Sequence, residues 1–158
     1  ISGSNINGNV KISNLSLDDI TKALEFQTPL QGTINANVDI EGTKQKPGIN
    51  ASIQTQDLQY NDFKNDSILF SLNYLNQNLN LNFVISNEST DILTAKGTSK
   101  INLNLDDVGK SVENADINLS INSTDLNISP LSIILDDVVK SAGALDLNLT
   151  ASGNPTLS

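Results

Sequence analysis

The sequence contains no cysteine, histidine, methionine, tryptophan or arginine. Without Cys or His there is no disulfide framework, no thiolate nucleophile, no imidazole zinc site and no Ser-His-Asp triad. Without Arg, bidentate recognition of phosphate is lost. Eighteen acidic residues against nine lysines give a net charge of -9, which repels nucleic acid and anionic headgroups and sets nucleic-acid binding aside. No apolar run approaches the ~18 residues of a membrane-spanning helix, and no basic-flanked leader is expected within these residues. With no initiator Met, the expectation is an internal part of a longer protein. The 158 residues suffice for one domain, so size does not limit the core.

What is present is alternation. Apolar residues recur at every second position for most of the length, the signature of half-buried strands. The clearest run is Leu30, Gly32, Ile34, Ala36, Val38 and Ile40, with Gln31, Thr33, Asn35, Asn37 and Asp39 between. The pattern returns at Ile49, Ala51 and Ile53, at Ile68, Phe70, Leu72 and Tyr74, and at Leu79, Leu81, Phe83 and Ile85. It reappears at Ile101, Leu103 and Leu105, at Ile117, Leu119 and Ile121, and at Leu145, Leu147, Leu149 and Ala151.

Turn signals separate these runs at 42–48, 61–66, 76–78 and 86–90, and connections this short join antiparallel neighbours. The reading is an all-β chain, a mostly antiparallel sheet of about eight to ten strands, with one to three short helices. Helices are expected at 16–25, where Ile20, Ala23 and Leu24 share a face behind Asp18 and Asp19, at 129–140, and more weakly at 105–112.

The two ends of the chain match at an offset of 111 residues. Val10 aligns with Ile121, Leu15 with Leu126, Leu17 with Ile128, and Gly32 to Gly42 (GTINANVDIEG) with Gly143 to Gly153 (GALDLNLTASG). The expected organisation is one fragment over 1–158 holding repeat units of about 1–111 and 112–158, the second incomplete, in which each unit relies on stacked neighbours.

The series of strand, Asp-rich segment, Pro29-Leu30-Gln31-Gly32, alternating strand, Gly42-Thr43, Pro47, alternating strand and Asp57-Leu58-Gln59-Tyr60 resembles the AsmA-like superfamily, and within it the TamB-type translocation and assembly module proteins. The resemblance covers nearly the whole chain, and its specificity lies in the order of motifs. It implies a long sheet curled into an open hydrophobic groove, of the bridge-like lipid-transfer kind, in an inner-membrane-anchored protein of a diderm bacterium that spans the periplasm. It further implies phospholipid acyl chains as ligand and, for the full-length protein, an Omp85-type outer-membrane barrel as partner.

The groove residues expected on this basis are Ile34, Ala36, Val38, Ile40, Ile49, Ile53, Ile68, Phe70, Leu72, Leu79, Leu81, Phe83, Ile85, Ile101, Leu103, Ile117, Leu119, Leu145, Leu147 and Leu149. Each large apolar side chain is worth roughly 1.5–3 kcal/mol when removed from water, so the face must be covered. Periodicity is the same for a sealed sandwich and for a trough; the scarcity of large aromatics leans to a trough and the resemblance decides it.

No catalytic constellation is visible. The acid pairs Asp18-Asp19, Asp106-Asp107 and Asp136-Asp137 point apart along the chain and precede helix-like segments, where carboxylates are favoured electrostatically. No enzyme activity, cofactor or metal is therefore expected. Rival readings are a scaffold for outer-membrane protein assembly, pairing a client strand to an exposed edge, and a surface adhesin or β-solenoid fragment.

Overall fold

The computed structural model describes residues 5–25, 30–60, 63–112, 115–127 and 143–154. Eight strands form one antiparallel sheet in sequence order: β1 (Asn5–Ser16), β2 (Gln31–Thr43), β3 (Lys46–Tyr60), β4 (Phe63–Leu75), β5 (Asn78–Asn87), β6 (Thr90–Lys100), β7 (Asp116–Asn127) and β8 (Ala144–Gly153). Among the described residues two short helices interrupt the meander, α1 (Leu17–Ala23) between β1 and β2 and α2 (Val108–Val112) between β6 and β7. The architecture is the all-β one expected, a long antiparallel sheet curled into an open hydrophobic groove.

Two-residue turns make the sheet a meander. Asn76 and Gln77 both have positive φ (49° and 68°), as do Glu88 and Ser89 (50° and 62°). That handedness matches the right-handed twist of the flanking strands and sets the register on each side.

The first helix forms for local reasons. Ser16 accepts the Asp19 amide at its N-terminus (3.3 Å), Asp18 and Asp19 occupy the first turn, and Lys22 pairs with Asp18. Its buried side is Leu17 and Thr21, not the Ile20, Ala23 and Leu24 face expected; Leu24 lies 63% exposed past the helix end. The helix begins at Leu17, so the i, i+4 pair Leu17 and Thr21 turns inward. The helix expected at 129–140 lies outside the described residues.

The strand expected over 101–105 is corrected. These residues take no part in the ladder, and the strand of this region is β6, just before them. Instead 101–112 forms a strap across the ends of the neighbouring strands. Ile101 N donates to Gln77 O (2.9 Å), and Leu105 N reaches Lys44 O in the β2–β3 turn (2.8 Å). Strands lie ~4.8 Å apart, so the strap travels roughly 14–19 Å from β6 to reach that turn. Asp106 fixes the far end, accepting from Lys44 (3.0 Å) and Gln45 (3.1 Å).

Candidate functional site: an open apolar face

Residues directly opposite each other in an antiparallel pair project from the same face, so the register shows what each face carries. One row crosses all eight strands as Val10, Val38, Ala51, Leu72, Leu81, Gly97, Leu119 and Ala151. Two residues along, the next row is Ile12, Ala36, Ile53, Phe70, Phe83, Ala95, Ile121 and Leu149. Beyond it lie Leu15, Ile34, Thr55, Ile68, Ile85, Leu93, Ser123 and Leu147. On the other side lie Gly8, Ile40, Ile49, Tyr74, Leu79, Ser99, Ile117 and Gly153. No position of these four rows carries a charge.

The opposite face is the complement. Its rows read Asn9, Asp39, Asn50, Asn73, Asn80, Thr98, Asn118, Ser152 and Lys11, Asn37, Ser52, Ser71, Asn82, Lys96, Ser120, Thr150. Near the β1 edge Asn9 donates to Asn37 (3.2 Å) and Asp39 (2.6 Å), knitting neighbouring strands through side-chain amides.

The apolar face is not sealed. Val10 is 60% exposed, Leu15 and Leu145 40%, Leu149 41%, and Ile53 and Ile117 37%. Among the described residues no large side chain is fully buried. Ile34, Ala36, Val38 and Ile40 on β2 and Ile68, Phe70, Leu72, Leu79, Leu81, Phe83 and Ile85 on β4 and β5 are half-buried. These values belong to a curled, uncovered surface.

Polar atoms on this face are mostly turned back into the backbone. Thr55 Oγ1 accepts the Ile68 amide (3.1 Å), and Ser123 Oγ donates to Leu145 O (2.9 Å). Ser99 Oγ is buried without a partner. Gly97 leaves room beside Leu81, whose Cβ and Cδ1 stand 3.5 and 3.6 Å from where a side chain would begin.

One end of the face is closed by the strap. Tyr74, 3% exposed, donates its hydroxyl to Ile101 O (2.9 Å) and accepts from Leu103 N (3.0 Å). Ile101 and Ala115 pack on its ring, with Ile49, Leu72, Leu79 and Leu103 around them. Tyr74 therefore anchors the strap.

All the expected groove residues that lie on strands share this one face. Ile101 and Leu103 do not line it as strand residues; they sit on the strap that covers its end. The geometry adds Val10, Ile12, Leu93, Ala95 and Ile121, of which the β1 and β6 positions escaped the sequence reading. In β6 the inward set shrinks to Leu93, Ala95, Gly97 and Ser99, which leaves little hydrophobic signal.

The acid pairs have structural partners. Asp18 holds Lys22, Asp106 holds Lys44, and Asp107 pairs with Lys110 (3.0 Å) and accepts its amide (3.3 Å). Asp136 and Asp137 lie outside the described residues. Among the described residues no three acidic side chains converge as a metal site would require, and no helix is long and apolar enough to cross a membrane.

Fold and face together define an open antiparallel sheet with one continuous, uncharged, solvent-accessible apolar side. No family model, curated protein or solved structure matches the chain.

Proposed function

We propose that the apolar face is a track for lipid acyl chains, and that the chain is a periplasmic segment of an AsmA-like, TamB-type bridge carrying phospholipid between the inner and outer membranes of a diderm bacterium, without enzymatic chemistry. The observation that carries this reading is an uncharged, mostly apolar face that crosses eight strands and is uncovered away from the strap at its one end. Seven strand spacings extend it about 34 Å, and its four rows span about 20 Å along the strands, a nominal sheet area of about 680 Å² against the roughly 300–600 Å² of the largest apolar patch on a typical monomer. Acyl chains answer the need: they are apolar, conform to a half-pipe, and leave their headgroups in water beyond the lips. In the full-length protein an Omp85-type barrel would receive the cargo at the outer membrane.

Photocrosslinking in cells tests the reading, because neighbouring strand residues face opposite sides. A photoreactive residue at Leu81 or Phe70 captures phospholipid, whereas one at Asn80 or Ser71 does not, and mass analysis of the purified protein finds co-purifying lipid. Equal capture at both phases, or none at either, overturns the proposal. Capture of nascent barrel proteins at the edge strands in place of lipid on the face would favour an assembly scaffold.

A further inference from the structure

The polar side of the sheet is not uniform. Near β1 its groups satisfy one another: Asn9 donates to Asn37 and Asp39, and Asn37 also donates to Asp39. From β6 to β8 the same rows continue as Thr98, Asn118 and Ser152 and as Lys96, Ser120 and Thr150. One row further on Lys100 lies opposite Asp116. None of these side chains is apolar, and Asp116 is the only acid among them. Thr98, Asn118, Thr150 and Ser152 are exposed, and their side chains have no hydrogen-bond partner among the described residues. Lys96 and Lys100 have no ion pair there.

These free groups line a furrow. A depression of about 450 Å³ lies over β6, β7 and β8 between Lys96 and Ser152. A second, of about 360 Å³, shares Thr98 and Asn118 with it and extends to Asn78 on β5. A third, of about 540 Å³, shares Lys100 and Asp116 with the second and reaches the strap at Asn104 and Lys110. Joined in this way, the first two cross the strands diagonally for roughly 20 Å from Thr150 to Asn78, by strand and row spacings. Leu79, Leu119 and Ala151 border the furrow through their backbone, since their side chains belong to the apolar face. Along its length Lys96, Lys100 and Lys110 meet Asp107 and Asp116, and Lys110 pairs with Asp107. The furrow therefore has an excess of lysine on a chain with twice as many acids as lysines.

We propose that this furrow binds a glycan strand, rich in hydroxyl and amide groups and bearing scattered carboxylates. The lining selects by what it lacks. A protein partner needs an apolar or aromatic anchor, and the furrow offers none. Nucleic acid needs a dense basic surface, and phosphate is best met by Arg, which the chain does not have. A metal needs converging acids, which are missing among the described residues. Exposed amides and hydroxyls without protein partners suit a polymer of the same chemistry, laid along the furrow and bonded directly or through water to Thr98, Asn118, Thr150 and Ser152. Lys96 and Lys100 supply the complement to its carboxylates. Because the furrow and the apolar track lie on opposite sides of the sheet, both can be occupied at once. In a periplasm the polymer of this kind is the cell-wall glycan; that source rests on the proposed location, whereas the furrow's chemistry does not.

NMR titration of the isotope-labelled 158-residue chain tests it, with neutral chitotetraose and with a soluble cell-wall glycan that carries muramyl carboxylates. Both are expected to shift Thr98, Asn118, Ser120 and Thr150 and to leave Phe70 and Leu81 unmoved, the carboxylated glycan binding more tightly. Lys96→Gln combined with Lys100→Gln should cut the affinity for the carboxylated glycan by roughly threefold and leave chitotetraose binding unchanged. Thr98→Val combined with Asn118→Val should weaken both ligands by about tenfold with an unchanged circular dichroism spectrum, since these exposed positions carry no fold contacts. Shifts from neither glycan overturn the proposal, as do shifts scattered over both faces or a Thr98/Asn118 double variant that binds like the parent. Polyglutamate that moves the same amides as strongly as the cell-wall glycan also overturns it, because charge alone would then suffice. A short-chain phospholipid added instead should shift Phe70 and Leu81 and not Thr98, so failure of the lipid track and failure of the furrow give different spectra.

Discussion

At the scale of single residues, Tyr74 and Ser99 lie in one row of the apolar face and illustrate opposite fates of a buried hydroxyl. Tyr74 both donates to and accepts from the strap backbone. Tyr74→Phe leaves Ile101 O and Leu103 N without that partner and should destabilise the chain by about 1–3 kcal/mol in urea unfolding. Ser99 Oγ has lost its water and gained nothing in return, so Ser99→Ala should be neutral or stabilising by the same assay; a loss of more than about 1 kcal/mol would mean that the hydroxyl has a partner. A third residue reports on pH. The hydrogen bond to Asp18, with its charge second, holds the Lys22 ammonium above its ordinary 10.5. A raised folded value means that this support for α1 is complete below the unfolded lysine value of about 10.4 and fades as pH climbs through the folded one. An NMR titration of Lys22 should show the upward shift, and Asp18→Asn should abolish most of it.

At the scale of elements, period-2 alternation made β2, β3, β4, β5, β7 and β8 legible in the sequence, together with the face each presents, because every second residue there is a sizeable hydrophobe. It failed where that link broke. In β6 the inward residues are small, and Ile101, Leu103 and Leu105 carry the stronger alternation only a few residues later. Yet those residues continue past the end of the ladder and fold over it, since Tyr74 offers their backbone polar partners that a further strand position does not. The buried face of α1, Leu17 and Thr21, is rotated by roughly a quarter turn from the expected Ile20, Ala23 and Leu24 face, because the N-cap at Ser16, and not the acid pair, fixes where the helix begins. The bulges at Asn14 on β1 and Asp125 on β7, whose amides Asn35 Oδ1 and Asp146 Oδ1 accept at 2.9 and 2.7 Å, were invisible as bulges, although the offset that relates them could be read from Gly32, Gly42, Gly143 and Gly153. They lead to an element-scale expectation: Asn35→Ala and Asp146→Ala each remove the acceptor of one bulge amide and should cost similar amounts, about 0.5–1.5 kcal/mol by chemical denaturation. A large cost for one with none for the other would show that the two bulges are not held by the same device.

At the scale of the whole molecule, the question is how a sheet with so much exposed apolar surface answers a charge placed on it. In a sealed core an unpaired charge is strongly destabilising, because it loses its hydration and gains no partner. In an open trough the same side chain can turn its head into water while its stem stays on the apolar floor. Leu81 and Phe83 are suitable sites: both are half-buried, both lie on central strand β5, and both belong to the two middle rows of the face. Leu81→Lys has the longer reach and should fold with nearly the parent circular dichroism spectrum. Phe83→Asp, which also removes a ring, should lose about 1–3 kcal/mol, less than the 3–5 kcal/mol typical when a fully buried Phe is truncated. If the face carries acyl chains, both variants should fail to support envelope function in the full-length protein while still folding, and photocrosslinking from Phe70 on the adjacent strand should lose its lipid adduct. Asn80→Lys and Asn82→Asp, on the opposite side of the same strand, should leave both readouts intact. Global unfolding of Leu81→Lys would show that the face is closed in the cell, and a folded Leu81→Lys that keeps envelope function and lipid capture would show that no lipid passes over β5.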